Sequence, residues 1–186
     1  DRAVPAIKAY DTSKDAPRVF AMQFKQQARY VKTAATFRTA IECQILRYVK
    51  PNLAKGRPNL VVFNEDIGLM AVGIGSRGDK ARKLINTVPP ECIGQDLCAT
   101  LKTLTALGEG YKQPLAYYTK RFGELNPLSS PLLAATDTAV RDFLGTFSSL
   151  ARKYRIYLVA SGPLGKFKET TDKKTVAALR DPDRKN

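Results

Sequence analysis

The chain has 186 residues, 44% apolar and 26% charged, with 31 Lys and Arg against 17 acids and a formal charge of +14. That length supports one substantial core, and no apolar run approaches the roughly 20 residues that cross a bilayer. Histidine is absent, which excludes histidine triads and histidine metal sites. The charge favours acidic partners, yet the basic residues are dispersed, with no RNA-binding signature, zinc-finger spacing or basic region leading into heptads.

Residues 1–17 carry Pro5, Pro17 and several charges without a period, and predict an extended arm. Arg18-Val19-Phe20-Ala21-Met22-Gln23-Phe24 reads as a first strand. Tyr30, Ala34, Phe37, Ile41, Ile45 and Tyr48 recur at spacings of three and four, which predicts a helix over about 29–50 with one apolar stripe. Cys43 lies within that helix and reads as a small buried hydrophobe. Pro51 stops the helix, and Gly56 with Pro58 turns the chain into a second strand, Leu60–Phe63. Strand, helix and strand at this length predict a βαβ unit with parallel neighbours.

The second strand ends in Asn64-Glu65-Asp66. Open α/β sheets place ligands just beyond the carboxyl ends of their strands, where an acid is well placed for proton transfer. Equally, Glu65 or Asp66 caps the next element or meets solvent. Gly68, Gly73, Gly75 and Gly78 follow without the spacing of a phosphate-binding loop, and predict a flexible loop beside a pocket. Cys92 and Cys98 flank a turn-rich stretch after Pro89-Pro90. They are a disulfide candidate if the protein is exported, which is favoured, and two free thiols in a reducing compartment. No companion pair completes a metal site.

Ala99–Tyr111 reads as a helix, 114–118 as a short strand and 126–131 as a loop. Val140, Phe143, Leu144, Phe147, Leu150 and Tyr154 form one broad face of a helix over about 138–154, capped by Asp137 or Thr138. Arg155–Ala160 is then a strand, closed by Ser161-Gly162-Pro163. From Lys166 the chain is polar and poor in aromatics, predicting a tail or linker.

Three segments in order, 19–24, 59–65 and 150–162, resemble the N-terminal portion of the carbon–nitrogen hydrolase, or nitrilase, superfamily. The likeness covers about half the chain. It rests on a first strand ending near a glutamine, a "Leu-Val-Val-Phe" strand running into Glu65, and a helix leading into a strand that closes on glycine. Asn64 stands where the family usually has proline, and the stretch from Gly73 to Thr136 is longer than the family core needs. The resemblance implies an α/β fold, the nitrilase-like α-β-β-α sandwich, incomplete in this chain. It also implies that Glu65 is the base of a Glu-Lys-Cys site acting on a small amide or nitrile, without cofactor or metal. No lysine or cysteine here falls on the family's positions for the other two groups. The domain layout is then an arm (1–17), the hydrolase portion (18–165, inserted at about 73–136) and a tail (166–186). Further polypeptide after Asn186, or a tightly bound second chain, is expected to complete the fold, and an oligomer with it. A catalytically inactive scaffold on the same fold stays open beside the hydrolase, with nucleic-acid binding behind both.

Overall fold

The computed structural model describes residues 13, 15–162 and 167–184. Almost all of the expected N-terminal arm therefore lies outside the described residues. Three strands, β1 (Arg18–Met22), β2 (Asn59–Phe63) and β3 (Tyr157–Val159), form one parallel sheet in the order β1-β2-β3. The chain is thus mixed α/β with a small parallel sheet, as its apolar runs predicted.

Between β1 and β2 runs α1 (Ala34–Gln44). It begins later than the apolar spacing suggested. Residues 28–31 make a 3-10 turn, and Thr33 is extended. The Thr33 hydroxyl accepts from the Thr36 amide at 3.1 Å while Thr36 Oγ1 accepts from the Thr33 amide at 2.9 Å, a capping box that fixes the helix start. The helix continues as a wider π-turn over Ile45–Val49 and a 3-10 turn through Pro51. Phe37, Ile41, Ile45 and Val49 are buried at intervals of four. Cys43, two positions past Ile41, points away from that stripe and is exposed, contrary to its reading as a buried hydrophobe.

The long helix α6 (Thr136–Tyr154) precedes β3 and buries Ala139, Phe143, Phe147 and Leu150. Phe147 meets Phe37 of α1 and Phe63 of β2 edge-on, with ring centroids 6.4 and 5.5 Å apart. Both helices therefore cover one face of the sheet, the face of Phe20, Val61 and Phe63. At the far end of α6, Glu42 accepts from Lys153 Nζ at 2.5 Å and Tyr154 Oη at 2.6 Å. The Lys153 bond, then the Tyr154 bond, holds the Glu42 carboxyl below its usual range.

The opposite face carries Val19 and Ala21 beside Leu60 and Val62, which lie beside Tyr157 and Val159. Val19, Tyr157 and Val159 are 55%, 66% and 50% exposed. Among the described residues nothing covers this apolar face.

The segment between β2 and α6 is helical: α2 (Asp79–Asn86), α3 (Asp96–Gly110), α4 (Lys112–Phe122) and α5 (Ser130–Ala134). Two expectations are corrected here. Residues 114–118 belong to α4, not to a strand, because Pro114 sits in the first turn, where a missing N–H costs nothing. The glycine-rich stretch is not a flexible loop but two packed 3-10 turns, Leu69–Gly73 and Ser76–Gly78. The buried Arg82 guanidinium donates to the carbonyls of Gly73 and, at 2.7 Å, Gly75, which holds these turns. Cys92 and Cys98 are joined as a disulfide at the start of α3.

The expected tail also folds in part. Asp172 caps α7 (Lys173–Leu179), which lies against α4. The residues after it reach α6 and the turn at Ser76.

Candidate active site

Both crossovers deliver the chain to the same edge of the sheet, so the segments leaving β1, β2 and β3 meet at their carboxyl ends. The loop Asn64-Glu65-Asp66 stands in the middle, fastened from both sides. On the β1 side, Asn64 Oδ1 accepts from the Phe24 amide at 3.0 Å, and Gln26 Nε2 donates to the Asp66 carbonyl at 2.8 Å. On the β3 side, the Asp66 amide donates to Ser161 Oγ at 2.8 Å and the Gly68 amide to the Ser161 carbonyl at 2.8 Å. Asn64 Nδ2 also donates to the Glu65 carbonyl at 3.1 Å.

Within this clamp Asp66 adopts a left-handed conformation with φ of 57°. An L-residue other than glycine is held there only when its surroundings over-determine it, and such residues concentrate at functional sites. Two residues on, the chain leaving β2 touches the chain leaving β3. A Cβ on Gly68 would come within 2.5 Å of the Phe143 ring and 3.0 Å of Gly162 Cα, so glycine is required for this close approach.

Glu65 thus sits at the carboxyl end of the central strand, its backbone held while its carboxylate is exposed. Two cavities of about 430 Å³ occur elsewhere, and Glu65 lines neither. The Gln26 Oε1 atom, by contrast, is buried in this clamp without a hydrogen-bond partner.

Sequence reasoning singled out Glu65 but missed Gln26, Asn64 and Ser161 as the groups that fix its loop. Asn64 and Ser161 carried a signal, each being the first polar side chain past a strand. Gln26 carried none, because its role depends on the path of the chain after β1. Of the cysteines, Cys92 and Cys98 are bonded to each other and Cys43 is exposed on α1, so no free thiol lies in the strand-end loops. Among the described residues no group of three or more Cys, Asp or Glu could hold a metal ion. No family model, curated protein or solved structure matches this chain.

Proposed function

We propose that this chain carries the general base of a carbon–nitrogen hydrolase, with Glu65 as that base. The observation that supports it is Glu65 itself, presented on an over-determined loop at the carboxyl end of the central strand of a parallel sheet. The uncovered apolar face of the sheet supports the rest of the reading, a sandwich in which a second sheet from further polypeptide or another chain packs there and brings a lysine and a cysteine.

In that site the Glu65 carboxylate takes the proton of the incoming thiol, and the thiolate adds to an amide or nitrile carbon. The lysine offsets the negative charge that develops on the substrate oxygen or nitrogen. With an amide, the C–N bond breaks as Glu65 returns its proton to the departing ammonia. Water, deprotonated by Glu65, then cleaves the thioester to acid and free thiol.

The test is Glu65→Gln in the complete protein, read as ammonia release from a panel of amides and nitriles. A neutral amide cannot take the thiol proton, so turnover should fall by at least about a hundredfold with the fold unchanged. Unchanged turnover removes Glu65 from the mechanism. The scaffold reading is favoured by the absence of a free thiol near the strand ends, and a thiol-selective acylating probe decides it. Labelling of a cysteine close to Glu65 supports the hydrolase, and none supports the scaffold.

A further inference from the structure

The segment from Asp172 to Arg184 is fastened through polar groups to three regions distant in sequence. Thr175 and the Ala177 carbonyl bond to Tyr117 and Gln113 of α4 at 2.9 and 3.0 Å. Arg77 Nη1 donates to the Leu179 carbonyl at 3.2 Å, and the Asp181 amide to Asp137 Oδ2 at 3.0 Å. The Ser76 amide donates to Asp183 Oδ2 at 2.5 Å, and Arg184 ion-pairs with Asp142 of α6. Helix α7 buries no residue fully. Little apolar surface therefore opposes its detachment, and most of its hold is electrostatic.

Two features show that the body is shaped to receive this segment. Gly75, at φ of 77°, lets Asp183 approach so closely that any Cβ there would strike its carboxylate. Asp142 is 2% exposed, neither of its carboxylate oxygens accepts a hydrogen bond among the described residues, and its ion pair is with Arg184. A buried carboxylate whose counter-charge sits on a peripheral segment couples that segment's position to the stability of the body. Beneath it lies a cavity of about 430 Å³, walled by Lys32, Arg82 and Asp142 of the body and by Asp181, Asp183 and Arg184 of the segment.

We propose that residues 172–184 are a releasable clasp over this cavity, with Asp142 as the post that Arg184 locks onto and Asp183 as a second catch at Ser76. Opening it removes one wall of the cavity and frees the Ser76 amide and the buried Asp142 carboxylate.

The experiment is native-state hydrogen exchange on the full chain, comparing the amides of Ser76 and residues 175–181 with those in the middle of α6. In the wild type the clasp amides should exchange at least about tenfold faster than the α6 amides, through an opening that leaves α6 protected. Arg184→Ala should speed the clasp amides by a further tenfold or more and ease tryptic cleavage after Lys173 and Lys174, while destabilising α6 because Asp142 loses its counter-charge. Adding Asp142→Asn should restore α6 but leave the clasp open. This double variant also answers the case in which Arg184→Ala alone fails to fold. Clasp and α6 amides exchanging together in the wild type, or wild-type clasp protection in the double variant, overturns the proposal.

Discussion

Tyr111 shows how one side chain joins two parts of the molecule that the sequence keeps apart. It is fully buried at the junction of α3 and α4, and its hydroxyl donates to the Val72 carbonyl at 2.9 Å, tying the helical insertion to the turn that follows β2. Burial pushes the phenol up to about 12. An unfolded tyrosine titrates near 10, so from about pH 10 upward the unfolded chain releases a proton that the folded chain keeps, and stability falls as pH rises. Tyr111→Phe should cost about 1–3 kcal/mol at neutral pH by leaving the Val72 carbonyl without this donor, and it should flatten the alkaline slope. Urea midpoints of both proteins at pH 7 and 10.5 check the two effects. Tyr111 also marks where sequence reasoning stops at this scale. Its burial and partner arise from the packing of the insertion, which no local pattern of polar and apolar residues encodes.

The elements that the sequence made legible are those whose apolar residues all face one layer. Phe20, Val61 and Phe63 read as strand, and Phe37, Ile41 and Ile45 as helix, because burial and period agree. Helix α4 was illegible for the opposite reason. Its one fully buried position is Pro114, a residue that argues against helix everywhere except the first turn. Helix α7 was missed because it is short, buries no residue and docks through side-chain and carbonyl hydrogen bonds, which leave no hydrophobic stripe. The entry to α3 rests on the Cys92–Cys98 disulfide, with a sequence separation of 6. Closing so short a loop constrains the unfolded chain by about 2 kcal/mol on the loop-entropy model. Replacing both cysteines with serine should lower the stability by roughly that amount, seen in denaturant titration, and reducing the wild type should reproduce the loss.

For the molecule as a whole, the uncovered sheet face decides how it behaves alone. Six apolar or aromatic side chains in register across three strands make a flat surface of the kind that associates. Val62→Lys at its centre should therefore reduce self-association of this chain in sedimentation velocity, with no gross loss of helical circular dichroism. Under the proposed sandwich the same change should impair packing of the second sheet, because a lysine would then be buried without a partner. The candidate site was legible only as far as Glu65. Its setting needed the sheet order, which brings Ser161 beside Asp66.

That last contact also sets a schedule for folding. The Asp66 amide and Ser161 are 95 residues apart in the chain. At ~5–20 residues per second, a ribosome takes about 5–20 s to travel from one to the other. During that interval β1, α1 and β2 can already pair, since Arg18 and Asn59 are both synthesised before Asp66, while Asp66 has neither its β3 partner nor a reason to hold a left-handed conformation. The loop that carries Glu65 is thus the last part of the sheet rim to acquire its shape, and a chain stalled before residue 161 would present Glu65 on an unfixed loop. Pulse-labelling hydrogen exchange during refolding should find the amides of Leu60 and Val62, which face β1, protected before those of Asp66 and Gly68. Simultaneous protection of all four would mean that β3 docks in the same step as the first two strands.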